Sequence, residues 1–264
     1  MKKLLESTIE FVAEAGQVIM TFYNDSFSVT EKSPDNPVTE ADIAADTLLK
    51  ERLLTLLPEA GWLSEETADS HERLDKKYCW VVDPLDGTKE FVLGIPEFTI
   101  SVALVESGIP ILAVIENPVL GEIFSGARGD GCAYNLLPSR VSQKESFSGA
   151  RVDASRSERK RGEFEQFENV VNVHTMGSIA YKLARVSAGL ADATWSRGPK
   201  NEWDICAGAL LVLEAGGSCV DLDDEPLLFN RPFPKVNGII ADNRLIHQEV
   251  MVALNPYRSS ARVD

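Results

Sequence analysis

The sequence predicts an α+β fold of layered helices and sheets, and three patterns carry that expectation. Near the N-terminus Leu5, Ile9, Val12, Gly16, Ile19 and Phe22 recur every three or four positions, the period of an amphipathic helix. Between Cys79 and Gly126 lie short apolar or alternating runs separated by glycine and proline breaks, the pattern of strands. Helical patterns return afterwards, over residues 178–190 and 204–215. A chain of 264 residues can build a sizeable core. It is expected to form one body, with an N-terminal half over residues 1–140 and a C-terminal half over 141–264. No Pro/Ser/Gly-rich tract separates the halves, and no internal repeat is evident.

The first helix is expected over Leu4–Phe22. A second should run from Val38 to Leu57, with Thr39 as N-cap and Pro58 beyond its end. Thr39 and Asp42 have the spacing of a capping box, so a structural role for Asp42 weighs as much as a functional one. Cys79–Val82 is short and apolar and reads as a buried strand delivering Asp83 at its C-terminal end. Thr99–Val105, Ile111–Glu116 and Glu122–Gly126 read as antiparallel strands joined by tight turns. The charged stretch SERKRGEFEQFE, residues 157–168, lacks apolar periodicity at its start and reads as a solvated connection or exposed helix. Ser178–Leu190 and Asp204–Ala215 complete the helices, the latter closing on Gly216 and Gly217.

Composition excludes several function classes. A formal charge of −15 repels nucleic-acid polymers and anionic membrane surfaces, while a small anion could still bind through a cation. Cys79, Cys132, Cys206 and Cys219 are scattered, and His71, His174 and His247 lie far from them in sequence, which argues against zinc and against a disulfide framework. Glu6, Glu10 and Glu14 interrupt the apolar residues of the N-terminus, so a signal peptide or membrane span is not expected there, and the cytoplasm is the default location.

The chemistry concentrates in WVVDPLDGTKEF, residues 80–91. Asp83 and Asp86 flank Pro84, which fixes φ near −65° and stiffens the turn. Gly87 lets the backbone reverse, and Thr88 can begin a helix whose free N–H groups favour an anion. Carboxylates beside anion-binding amides make sense if a divalent cation bridges them to a phosphate. On DPLDG alone, simple turn capping by the two aspartates is an equal alternative. Two further settings add weight: SEE at Ser64–Glu66 ahead of the strand, and WDICAGAL, where Asp204 heads an apolar helix as a cation ligand or as an N-cap.

PVTEAD, SEE, DPLDGTKEF and WDICAGALLVLEAGG occur in the order and approximate spacing of the inositol monophosphatase superfamily, which the chain resembles over nearly its whole length. That resemblance implies a five-layered αβαβα sandwich, Mg²⁺ dependence and hydrolysis of a phosphate monoester without a covalent phosphoenzyme. Carried over residue by residue, it makes Glu65, Asp83 and the Leu85 carbonyl ligands of one Mg²⁺, and Asp83, Asp86 and Asp204 ligands of a second. Asp42 would hydrogen-bond Thr88 and help to place a third, weaker ion. Glu65 and Thr88 would orient and deprotonate the attacking water, while the amides of Gly87 and Thr88 cradle the phosphate. Two cations clamping an in-line displacement is consistent with general metal-ion catalysis. A homodimer is a further implication.

DGTKEF, in place of the DGTTNF of inositol-specific members, resembles the CysQ-type 3′(2′),5′-bisphosphate nucleotidases of sulfur assimilation, and so does GPKNEWD. Ser196 stands where the inositol-specific members place a glutamate. VDASRSE resembles the nucleotidases' SRSH segment, with Glu158 in place of the histidine. A second substrate phosphate needs its own positive charge, for which Lys89, Arg156, Arg197 and Lys200 are candidates. Gly177 and Ser178 resemble a substrate-contacting pair ahead of a helix. The expected activity is therefore hydrolysis of adenosine 3′,5′-bisphosphate to AMP and phosphate. The alternatives are an inositol-1-monophosphatase or fructose-1,6-bisphosphatase and, in another class, a non-catalytic divalent-ion or anion-binding protein. Thr88 disfavours the last, because ion binding alone does not need a hydroxyl at that turn.

Overall fold

A computed structural model of the chain describes residues 1–23, 29–33 and 36–258. The first layer is a pair of helices, α1 (Lys2–Tyr23) and α2 (Glu40–Leu56), joined through a two-stranded hairpin of β1 (Val29–Ser33) and β2 (Asn36–Thr39). Helix α2 starts at Glu40, two residues later than expected, because the chain is still extended through Thr39.

The second layer is a seven-stranded sheet of β3 (Gly61–Ser64), β4 (Tyr78–Asp86), β5 (Thr99–Glu106), β6 (Ile109–Asn117), β7 (Glu122–Ala127), β8 (Gly131–Tyr134) and β9 (Leu137–Ser139), in sequence order. β3 pairs with β4 in parallel, and every later pair is antiparallel, as the tight turns require. The short helix α3 (Thr88–Val92) follows β4 directly.

β4 is covered on both faces, which explains its unbroken apolar run. Trp80 and Val82 meet Val12, Ile19, Leu49 and Leu53 of α1 and α2. Cys79 and Val81 face the opposite way, into the third layer.

A second, five-stranded sheet is mixed, in the order β11-β10-β12-β14-β13, with β10 (Arg151–Ala154), β11 (Asn172–Thr175), β12 (Ala193–Asn201), β13 (Ser218–Val220) and β14 (Lys235–Asp242). Between the two sheets lie α5 (Ile179–Ser187) and α6 (Glu202–Glu214), preceded in the chain by the single-turn α4 (Arg156–Lys160). The outer face of the second sheet is closed by α7 (His247–Arg258) and by Phe164 and Phe167, which pack around Trp195. The layers therefore run helix, sheet, helix, sheet, helix, the expected αβαβα sandwich. Interior helices α5 and α6 are buried nearly all round, as a helix between two sheets must be. All four cysteines are buried and unpaired, consistent with core thiols. No helix among the described residues is long and apolar enough to cross a membrane.

Candidate active site

Four carboxylates converge where β4 ends. Asp83 continues the two-residue period of Cys79 and Val81, so it turns toward the central helices, and it is only 1% exposed. Its Oδ1 accepts a hydrogen bond from the Leu85 amide at 3.0 Å. The β4–β5 ladder is irregular between Asp83 and Asp86, around Pro84, which has no N–H to give to the ladder. Gly87 then takes φ 102°, and a Cβ there would lie 3.0 Å from the Glu97 carbonyl oxygen, so the turn requires glycine.

Glu65 lies just past the end of β3, not simply ahead of a strand as the sequence suggested; its amide donates to the Val82 carbonyl at 3.3 Å. Asp46 of α2 anchors this segment, accepting from Ser64 Oγ at 2.5 Å and Thr67 Oγ1 at 2.7 Å. Asp204 comes from the first turn of α6. It is not the N-cap: Asn201 is, and Asp204 is its capping-box partner, accepting from the Asn201 amide at 3.2 Å. The helix therefore starts at Glu202, earlier than its apolar run implied. One carboxylate oxygen each from Glu65, Asp83 and Asp204 lie within 4.8 Å of one another. Asp86 is held alongside, its Oδ2 accepting from Ser178 Oγ at 2.6 Å and the Ala180 amide at 2.7 Å.

The electrostatics are those of a crowded, buried anionic cluster that nearby lysines offset only in part. Burial, then the charges of Glu65, Asp86 and Asp204, push Asp83 well above the usual carboxylate range. Burial and the charges of Asp86 and Glu65 do the same to Asp204, against the opposing pull of Lys200. Asp86 is pushed up to about 6, chiefly by burial, with the Ser178 and Ala180 hydrogen bonds pulling the other way. Like charges at such distances disfavour their own ionisation, and a divalent cation relieves them all at once. A donor set of oxygens with no His or Cys suits a hard ion such as Mg²⁺. The residues fit the cation that the sequence implied.

Asp42 caps its helix and also reaches Thr88. One oxygen closes the capping box, accepting from the Thr39 amide at 2.8 Å and Thr39 Oγ1 at 2.5 Å. The other faces Thr88 Oγ1 at 3.1 Å, and the same hydroxyl lies 3.1 Å from the Leu85 carbonyl oxygen. The Thr88 hydroxyl is thus fixed from behind by a buried carboxyl, whose pKa burial raises.

A cavity of about 510 Å³ opens above the cluster. Glu65, Leu85, Asp86 and Asp204 line its floor side, and Gly87, Thr88 and Lys89 line the turn. Gly177 and Ser178 form another wall. The Gly177 amide donates to Glu97 Oε2 at 2.8 Å, and a Cβ there would meet Glu90 Cγ at 2.4 Å. Ser178 caps α5 through Tyr181 N while its hydroxyl holds Asp86, so its side chain supports the cluster. Among the proposed second-phosphate cations, Arg156 pairs with Glu90 at 3.1 Å and Glu97 at 2.6 Å, and Arg197 with Glu163 at 3.4 Å. Lys89, Arg156 and Lys200 line the cavity.

Lys182 is a cavity residue that the sequence reading missed. It is 2% exposed, and its Nζ lies 3.5 Å from Glu158 Oε2. Glu158 is itself 1% exposed and sits behind the cavity lining, whereas Ser157, Arg159, Lys160 and Arg161 are exposed, so the stretch 157–168 opens as the exposed helix that was one of its two expectations, with one inward-facing residue. Two signals were available: a lysine within the otherwise apolar IAYKLA helix needs a partner, and Ser155 followed by Glu158 is a capping-box pattern.

The fold has known counterparts. The chain matches the inositol monophosphatase family over residues 1–259. It belongs to that family. An Inositol-1-monophosphatase of Rhizobium meliloti (strain 1021) is 34% identical over 230 residues, 83% of this chain and 86% of the relative. A 3′(2′),5′-bisphosphate nucleotidase CysQ of Aggregatibacter actinomycetemcomitans is 32% identical over 243 residues, 89% of this chain and 90% of the relative. The solved structure of a Thermotoga maritima IMPase superposes with a TM-score of 0.87 at 29% identity, covering 99% of this chain and 100% of that one. Family members are metal-dependent phosphatases, which agrees with a crowded carboxylate cluster under a cavity. The relatives carry different substrate names, so kinship alone does not choose the substrate.

Proposed function

We propose that this chain is a Mg²⁺-dependent 3′(2′),5′-bisphosphate nucleotidase that converts adenosine 3′,5′-bisphosphate to AMP and phosphate. The observation that carries the reading is the pair Lys182 and Lys200 on the wall of the carboxylate cavity. Lys182 is paired with Glu158 and Lys200 acts on Asp204, yet both ammonium groups line the cavity, where a second phosphate would find the positive charge it needs. Glu65, Asp83 and the Leu85 carbonyl would hold one Mg²⁺, and Asp83, Asp86 and Asp204 a second, with Asp42 near a weaker third. Bound Mg²⁺ supplies charge neutralisation at the phosphate and a lowered pKa for water.

The chain's own groups do the rest. Thr88 Oγ1, facing Asp42, keeps its remaining lone pairs available to orient a water, and the Glu65 carboxylate accepts the proton. The first-turn amides of α3, which have no intrahelical acceptor, would receive the phosphate oxygens beside Gly87. Lys89 adds an exposed cation at the cavity's edge.

A second reading, an inositol-1-monophosphatase, is favoured by Glu158, which offsets part of the Lys182 charge. A non-catalytic ion binder is disfavoured by the Thr88–Asp42 contact, which ion binding does not require. A phosphate-release panel in Mg²⁺ separates these readings, using adenosine 3′,5′-bisphosphate, inositol 1-phosphate and fructose 1,6-bisphosphate. The proposal expects the highest kcat/KM on the nucleotide; a higher value on inositol 1-phosphate would overturn it.

A further inference from the structure

Behind the cavity wall, Glu158 is tied into place from two sides. Its Oε2 accepts from the Ser155 amide at 3.0 Å and Ser155 Oγ at 2.6 Å, closing the capping box of α4. The same oxygen lies 3.5 Å from Lys182 Nζ, close enough for charge pairing but too long for a strong hydrogen bond. Glu158 Oε1 is buried as well, and the Ser196 side chain adds to the groups that lower the Glu158 pKa. Glu158 does not line the cavity, whereas Lys182 does. Burial raises the Glu158 pKa, but Lys182, Lys200 and the Ser155 hydroxyl together hold it below the usual carboxylate range, so it is an anion under ordinary conditions.

The cations lining this cavity beside Lys89 are Lys182, Lys200 and Arg156; Arg156 is paired with Glu90 and Glu97, Lys200 acts on Asp204, and Lys182 lies between Asp86 and Glu158, the latter behind the lining. An ammonium 2% exposed needs a counter-charge. In the empty cavity Glu158 provides it. When a substrate brings a second anion, that anion and Glu158 compete for the same ammonium.

We propose that Glu158 is a charge brake on second-anion recognition: by offsetting Lys182 from behind, it holds down the preference for substrates with two phosphates over those with one. The inference rests on the reading of Lys182 and Lys200 as the second-anion site. Glu158 acts through Lys182 and touches no substrate, so it is a positioning residue whose effect shows in selectivity.

The test compares wild type with Glu158→Gln, Glu158→Asp, Lys182→Met and the double variant Glu158→Gln/Lys182→Met. For each, kcat/KM is measured on adenosine 3′,5′-bisphosphate and on inositol 1-phosphate. Glutamine keeps the length of the side chain and an oxygen for the Ser155 amide while removing the charge. Glu158→Gln should raise the bisphosphate-to-monophosphate ratio by about tenfold, through a lower KM for the bisphosphate. Glu158→Asp, which keeps the charge, should stay within about twofold of wild type, and the double variant should match Lys182→Met alone. A partly misfolded variant loses active enzyme on both substrates equally, so the ratio is insulated from folding. An unchanged or lowered ratio in Glu158→Gln overturns the inference, as does an equal rise in the double variant. If wild type favours the bisphosphate and Glu158→Gln does not raise the ratio, the brake fails and the nucleotidase reading stands. If wild type spares the bisphosphate and Glu158→Gln acquires it, the nucleotidase reading fails and the brake stands.

Discussion

At the end of β4, Asp83 meets Glu65, Asp86 and Asp204, and burial, then neighbouring negative charge, pushes the pKa values of Asp83, Asp86 and Asp204 up. At the start of α7, two aspartates also converge, but on a cation: Asp242 faces His247 Nδ1 at 2.7 Å and Asp224 faces Nε2 at 2.9 Å. There the carboxylates raise the histidine's pKa to about 9, and the arrangement is satisfied by the chain itself. The comparison separates two uses of acidic residues in one molecule. Balanced, they staple a helix to a sheet; unbalanced, they wait for something that is not protein.

The largest effect should follow from breaking the unbalanced cluster. Asp83→Asn removes the carboxylate common to both proposed ion positions, and steady-state turnover should fall by at least about a thousandfold. Melting in EDTA should be unchanged or higher by a few degrees, because a source of repulsion is gone. Near-native kcat in this variant would reduce Asp83 to a turn residue.

Gly177→Ala probes the wall above the cluster. The new Cβ would sit 2.4 Å from Glu90 Cγ and 2.7 Å from the Glu97 carbonyl oxygen, disturbing the Glu97 and Arg156 contacts that join α3 to α4. A stability loss of about 2–3 kcal/mol in urea titration is expected, with a comparable fall in kcat/KM on every substrate. Wild-type stability would mean that the wall yields freely.

Lys89→Thr tests an exposed cation at the cavity edge. Solvent screening limits its contribution, so kcat/KM on the bisphosphate should fall by about threefold to tenfold, and by less on a monophosphate. Equal losses on both would assign Lys89 to the scissile phosphate.

The smallest effect belongs to the balanced site. His247 has a folded pKa of about 9 against an ordinary 6.5. Its contribution is therefore complete below pH 6.5 and is lost as pH rises through 9. Because Asp224 is 45% exposed, the contribution should be about 1–2 kcal/mol. His247→Gln should flatten that slope in urea denaturation from pH 6 to 10 and leave turnover intact. An unchanged slope would show that the pairing contributes nothing to stability.

What could be read from sequence follows the same division. The β4 run, the bend at Pro84, the Gly87 reversal and the Thr39–Asp42 box are local, so the residues announce them. The central antiparallel strands were also plain, since glycine and proline mark their ends. The short strands β3, β8–β11 and β13 were not, because runs of three or four residues take their pairing from distant partners; the longer β12 was hidden by its polar C-terminal half. Lys182 and Glu158 failed for a related reason: each reads as a surface charge, and only the approach of α4 to α5 buries the pair. Asn201 displaced Asp204 as cap because polar residues preceding an apolar run can all cap, and the backbone decides which does.

The central claim, that the β4 carboxylates are unbalanced because a divalent cation belongs among them, is tested most directly by calorimetric titration of Mg²⁺ into wild type, Asp83→Asn and His247→Gln at pH 6. Wild type and His247→Gln should bind saturably and release protons, since the cluster must give up those it carries. Asp83→Asn should show a binding heat and proton release largely abolished. Saturable binding of equal strength in Asp83→Asn, or none in wild type, would contradict the account.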